Sequence, residues 1–320
     1  MRALLCLLSL LLLGAVGPAR AASELLIGSG SLTGVYYPAG GALCRLLARA
    51  PARLPCQVVA TGGSADNLTA LSRGDLSLAL VQSDVQLTTT PPPALYRLFN
   101  LHQEALTLVT RQDSGIRSLA DLSGKRLDIG NPGSGDNRTM RLLLQALGWP
   151  EETVDSLSHL NVSERAQALC DEQIDAYAYV VGHPSSAISE AAALCPIRFI
   201  PVEGDAVDRL LQSHSYYQRT QIPADLYSGV DDAIATIGMP AGLIAGPQID
   251  EALAYRITQQ VFSRLPQLRR LHPALSQLVR QQMIGEASGL PLHPGARRFF
   301  VEQGWLPPLP AATQPALISP

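Results

Sequence analysis

Charge and aromatic residues are scarce in this chain. Only 16% of its 320 residues are Asp, Glu, Lys or Arg, and 5% are Phe, Trp or Tyr. It has no basic run and a formal net charge of −3, which argues against a nucleic-acid binder that works by neutralising phosphates. It has no Cys-x-x-Cys, no His-Glu-x-x-His and no paired-histidine spacing, so a metal centre is unsupported. Neither Gly-Ser-Gly cluster is followed by Gly-Lys-Ser/Thr, which removes the P-loop. Beyond the N-terminus, no stretch is long and apolar enough to span a bilayer; the nearest, Ala233 to Ala245, is broken by Gly238 and Pro240. Scarce charge does not mean disorder here, because 47% of the residues are hydrophobic. The length suggests about two domains with a core large enough to need no scaffold of disulfides or metal.

Residues 1–21 read as a secretory signal. Arg2 is the basic start, Ala3 to Leu13 the apolar run, and Ala19-Arg20-Ala21 the small-x-small cleavage site, with cleavage after Ala21. The other reading is an uncleaved anchor, although the run is short for one. Cys6 lies inside the apolar run, too early for lipid attachment. Loss of Arg2 and Arg20 from 24 basic residues, set against 27 acidic ones, leaves a mature net charge of −5. Four cysteines remain, Cys44, Cys56, Cys170 and Cys195, and an exported chain meets an oxidising compartment. Three pairings are possible. The local ones, Cys44–Cys56 and Cys170–Cys195, are expected, and four buried free thiols are the alternative.

Strands alternate with helices along the chain. A strand at Leu25 to Gly28 runs into a glycine turn, Gly28 to Gly34, and a helix from about Pro38 to Arg49. A strand at Gln57 to Ala60 precedes Thr61-Gly-Gly-Ser64 and another helix, and the strand Leu76 to Val81 ends at Gln82-Ser-Asp84. The programme then restarts: strand Arg126 to Gly130, turn Asn131 to Gly135, helix about Asn137 to Leu147, helix about Ser163 to Cys170, strand Ala176 to Val181 and turn Gly182-His-Pro184. This alternation predicts parallel sheets with crossover helices. We read two lobes of the same wiring, with one larger sheet as the alternative. Glu104 to Thr110 and Ala233 to Ala245 are the expected crossings. The lobes are residues 22–110 with 231–306, and residues 111–230. Helices are expected over Ile249 to Leu265, Pro273 to Gln282 and His293 to Gln303, and residues 307–320 are expected to be a disordered tail.

Ligands of parallel α/β sheets bind beyond the carboxyl ends of the strands. Each small-polar cluster, at 28–34, 61–67, 82–84, 130–139 and 182–185, falls at such an end, and helix N-termini that favour a carboxylate follow several of them. Dinucleotide binding is disfavoured, because Ala60-Thr-Gly62 stands where an acidic residue is needed. His183 is the histidine in a candidate loop, but no Gly-x-Ser-x-Gly surrounds Ser185, so it is expected to fix the loop. The sequons at Asn67, Asn137 and Asn161 are read as chance, since Asn67 and Asn137 suit helix starts.

Several of these segments together resemble one family. Ile27 to Pro38 (IGSGSLTGVYYP), Thr61 to Ser64, Val81 to Asp84, Asp113 to Ile116, Asp121 to Arg126, Ile129 to Gly135, Val181 to Ser185 and Leu292 to Ala296 are similar, in order, to the TAXI-type substrate-binding proteins of TRAP transporters. The match covers roughly residues 24 to 305. The resemblance implies an α/β chain of the type II periplasmic binding protein fold, two α/β lobes joined by two crossing strands. It also implies a periplasmic receptor, not an enzyme, that needs no cofactor. Such a receptor takes a glutamate- or glutamine-like carboxylate or amino acid to a TRAP-type membrane permease.

Carried over by motif, the ligand residues are Gly30, Thr33 and Tyr36; Ser64 and Asn67; Gln82 and Ser83; Asn131, Gly133, Ser134, Gly135 and Thr139; and Val181, Gly182 and His183. Tyr36 can also be read as core. One departure stands out: Asp136 and Asn137 occupy places where the family usually has a small or polar residue and then arginine. That changes the charge where an anion would dock and keeps glutamine or a neutral amino acid in play. The rival readings are a sensory receptor subunit and an exported hydrolase using His183.

Overall fold

The computed structural model describes residues 24–49, 53–88, 95–285 and 289–309. The expected signal, residues 1–21, lies outside the described residues, as do residues 310–320 of the expected tail; residues 307–309 are exposed.

In chain order the first elements are β1 (Leu25–Gly28), α1 (Tyr36–Ala48), β2 (Cys56–Val59), α2 (Ser64–Arg73), β3 (Leu78–Gln82), α3 (Ser83–Thr88) and the long β4 (Tyr96–Arg111). Next come β5 (Arg126–Asp128), α4 (Gly135–Ala146), β6 (Ser156–Ser158), α5 (Val162–Cys170), β7 (Ala176–Val181), α6 (Ser186–Leu194), β8 (Ile197–Ile200), α7 (Asp205–Ser213) and β9 (Gln218–Ile222). The chain returns through β10 (Ile234–Ala245) to α8 (Glu251–Phe262), α9 (Leu265–Arg269), α10 (Arg280–Ile284) and α11 (Pro294–Glu302).

Strand order explains the repeated sequence programme. In the first half β1 lies between β2 and β3, parallel to both, and β10 runs antiparallel beside β3. In the second half β5 lies between β6 and β7, parallel to both, and β4 runs antiparallel beside β7. The same pattern of three parallel strands and one returning strand occurs twice. The inner strands, LALVQ in β3 and AYAYVV in β7, are buried along their whole length, as strands covered on both faces must be.

The two halves are joined by their two long strands. β4 and β10 pair antiparallel with each other. At Ala105, β4 changes partner: that residue pairs with Gly238 of β10 and with Val181 of β7. β10 pairs with β9 over Ile234–Gly238 and with β3 over Ala241–Ala245, and its register shifts after Pro240, which has no N–H to give to the ladder. Hydrogen bonding is therefore continuous through one ten-stranded sheet, yet the apolar interior is not. One cluster gathers under α1, α8 and α11 and another under α2, on the two faces of the first half; a third lies under α4 and α7 and a fourth under α5 and α6, on the two faces of the second. The result is two lobes sharing a sheet.

Both expected disulfides are present. Cys44–Cys56 ties α1 to β2, and Cys170–Cys195 ties the end of α5 to the end of α6. The C-terminal helices depart from expectation. The helix expected over 249–265 is α8, and a short helix that was not expected, α9, follows it with Pro266 inside its first turn, where a proline fits. The helix expected over 273–282 is a 3-10 turn at Pro273–Leu275 followed by the short α10. α11 begins as expected, with His293 Nδ1 accepting from the Gly295 N–H.

Candidate functional site

Between the lobes lies a cleft of about 400 Å3. It is walled by the strand-end turns of β1 and β2, by Gln82 and Glu104, and across the gap by Asn131, the start of α4, the start of α5 and Tyr179–Val181. The N-terminal ends of α1, α2, α4 and α5 all border it. Local sequence sets two of these ends. Ser134 caps α4 by accepting from the Asn137 N–H. Asn161 and Glu164 form a reciprocal capping box at α5, so one N-terminal anion position there is already taken by the Glu164 carboxylate.

The two rims touch. The Gly133 carbonyl accepts from the N–H groups of Ala65 (3.2 Å) and Asp66 (3.5 Å), and the Thr33 carbonyl accepts from the Ser186 hydroxyl (3.3 Å). Gly63 has φ of 118° and lies so close to Ser134 that a β-carbon would sit 3.2 Å from the Ser134 Cα. Deeper in, Asp84 of the first lobe accepts from Thr139 (2.8 Å) and Tyr217 (2.9 Å) of the second. Asp84 is fully buried, and burial raises its pKa to about 6. This is a closed arrangement.

Of the residues carried over by motif, Gly30, Tyr36, Ser64, Gln82, Asn131, Ser134, Gly135 and Val181 line the cleft. The other seven do not border it, and their partners are plain. Asn67 gives its amide hydrogens to the Ser29 and Leu80 carbonyls (2.6 and 2.8 Å) and accepts from the Thr61 hydroxyl, bracing three strand ends. Thr139 holds Asp84, while Thr33 and Gly133 form the rims. Ser83 is fully buried behind Gln82, and Gly182 packs on His102. His183 faces a second cavity of about 260 Å3. Its Nδ1 meets the Tyr227 hydroxyl (2.7 Å) and its Nε2 the Thr107 hydroxyl (3.0 Å); burial lowers its pKa to about 4, which keeps it neutral. Ser185 makes no hydrogen bond with His183; its N–H goes to the Tyr227 hydroxyl. Both ring nitrogens are therefore occupied by structural partners, the loop-fixing role the sequence suggested. Tyr36 meets both of its readings, since it packs in the first core and also lines the cleft.

Three acidic residues of the cleft wall were missed or misjudged. Glu104, beside the point where β4 changes partner, is buried, and its Oε2 accepts from the Tyr36 hydroxyl (2.9 Å). Burial raises its pKa. A single acid at the head of the otherwise uncharged, largely apolar stretch Glu104 to Thr110 was the available signal. Asp136 is not the bare charge its sequence position suggested. Its Oδ2 accepts from Arg165 (2.8 Å) and its Oδ1 from the Val180 N–H (2.9 Å). Arg165, itself buried, also meets Asp128 at 3.0 Å. The expected change of charge at the docking position is thus largely absorbed inside the second lobe. Glu164, the third, is used by its own helix. Among the described residues no lysine or arginine side chain lines the cleft. Among the described residues no group of His, Cys, Asp or Glu gathers as a metal site would require.

A family model, the NMT1-like family, matches residues 27–304. The chain belongs to the NMT1-like family. Among solved structures, this NMT1-like chain is similar to one provisionally described as an L-cystine ABC transporter of Listeria monocytogenes, at 12% identity over 79% of this chain and 96% of that one, with a TM-score of 0.53. It is also similar to a chain from the Streptococcus mutans glutathione import system of GshT and the cystine importer TcyBC, at 11% identity, 85% and 98% coverage and a TM-score of 0.53. A Bordetella bronchiseptica protein matches at 18% identity over 92% of each chain, with a TM-score of 0.52. At such identities the likeness is one of fold, a two-lobed α/β architecture.

Proposed function

We propose that the chain is a periplasmic solute receptor of the TAXI type, exported with cleavage after Ala21. In this reading it captures a small carboxylate or amino acid, glutamate- or glutamine-like, and hands it to a TRAP-type membrane permease. The observation that carries the reading is the interlobe cleft bordered by four helix N-termini and closed by contacts between its rims. Helix ends attract a carboxylate without an arginine, in keeping with the absence of basic side chains from the wall. Glu104 adds a carboxyl on the same wall whose oxygens can accept from an ammonium. Gln82 supports an amide or amine partner as well, because its Oε1 is buried and has no hydrogen bond. Two disulfides suit an oxidising compartment.

The mechanism is closure of residues 22–110 with 231–306 on residues 111–230. A solute that touches both walls binds the closed form better and shifts the population towards it. A thermal-shift screen over amino acids and dicarboxylates tests the reading. A solute at 100 times its dissociation constant should stabilise the chain by about 2.7 kcal/mol. Solution scattering should show the radius of gyration fall as that solute saturates. If every solute left both quantities unchanged, the receptor reading would be lost.

A further inference from the structure

The outer side of the first lobe carries a recess of about 570 Å3 that shares no lining residue with the cleft. Its walls are Arg45 and Arg49 from the end of α1 and Arg264 and Arg270 from either end of α9, over Leu46 and Leu271. Among the described residues no carboxylate lines it, and none of the four arginines joins an ion pair. Arg45 and Arg264 each give one N–H to a backbone carbonyl across the seam, Arg45 to Leu271 (3.4 Å) and Arg264 to Leu46 (3.2 Å). These bonds fix their direction and leave most of the five donors of each guanidinium unused. The Cys44–Cys56 disulfide, next to Arg45, holds the wall to the sheet.

Local needs do not account for the cluster. The C-terminal end of α1 presents about half a negative charge, against four guanidinium charges. The whole chain is net negative, so these cations are gathered at one place and are not part of a generally basic surface. Residues 307–320 carry no charged side chain. Planar guanidinium forks match phosphate oxygens two at a time.

We propose that this recess binds a phosphate-bearing anion, either free phosphate or the headgroup of an anionic phospholipid. The test uses the purified chain at low ionic strength in two arms, calorimetric titration with inorganic phosphate and co-sedimentation with vesicles of phosphatidylglycerol and phosphatidylcholine against phosphatidylcholine alone. Binding in at least one arm is expected, weakened at least tenfold by Arg49→Ser with Arg270→Ser at an unchanged melting temperature. Both residues are exposed, so the fold should tolerate the change; if the pair does not melt cooperatively, Arg270→Ser alone decides at a smaller loss. Phosphate binding without vesicle binding identifies the free anion, and the converse identifies the headgroup. No binding in either arm, or binding that the variants leave intact, overturns the proposal.

Discussion

Arg165 is the residue on which the second lobe's electrostatics turn. It is buried between Asp128 and Asp136, and the two carboxylates raise its pKa against the opposing effect of burial. Arg165→Met would leave two buried carboxylates without their cation, and we expect a loss of about 3–5 kcal/mol in chemical denaturation. A loss under 1 kcal/mol would show that the group is solvated in some other way. Asp84 gives a pH-dependent counterpart. Its folded pKa of about 6 lies above its ordinary 3.8. Between those values the folded chain holds a proton that the unfolded chain releases, so this contribution to stability is complete below pH 3.8 and is lost as pH rises through 6. Relative to Asp84→Asn, the parent should lose about 2.4 kcal/mol from pH 4 to pH 7, read from paired melting curves. Parallel curves would refute the assignment. None of this was legible in the sequence. A charged residue in an α/β chain is by default a surface residue, and only the pairing of distant segments reveals that Asp128, Asp136 and Arg165 meet.

At the level of elements much more could be read. The strand β7 and its glycine turn are local patterns, an apolar run and a break, and the structure places them where expected. The cleft-lining residues that were found, such as Ser64 and Ser134, were found because they follow such breaks. The breaks did not reveal which polar side chains turn back into the scaffold. Asn67 and Ser64 both begin α2, but one helical turn apart, so Asn67 reaches the strand ends beneath while Ser64 borders the cleft. α9 was missed and the stretch from Pro273 was read as one helix, although Pro266 and Pro273 each stand in the first turn of a separate element. The rim turns carry their own prediction. Gly63→Ala puts a side chain at positive φ and against Ser134, so it should hinder closure more than folding. Solute affinity should fall at least tenfold by calorimetry, while the unliganded melting temperature moves by a few degrees. An unchanged affinity would mean the rims need not meet.

For the whole molecule, the two disulfides constrain one lobe each. They close loops with sequence separations of 12 and 25 residues, so each should contribute about 3 kcal/mol. Replacing Cys44 and Cys56 by serine, or Cys170 and Cys195 by serine, should lower denaturant stability by that amount, with solute affinity kept when the remaining fold is intact. Equal stability in either pair variant would contradict this.

The return of β10 has a further consequence. That strand fills the place between β3 and β4, although some 150 residues of sequence separate it from the first of these. As the chain is made from its N-terminus, the second lobe's parallel strands and covering helices are all available before the first lobe can close its sheet. A chain stopped after residue 230 would leave β3 and β4 with an unfilled gap between them, a ready template for a stray strand. The leading half therefore stays incomplete, with an open strand position, until the last quarter of the chain arrives.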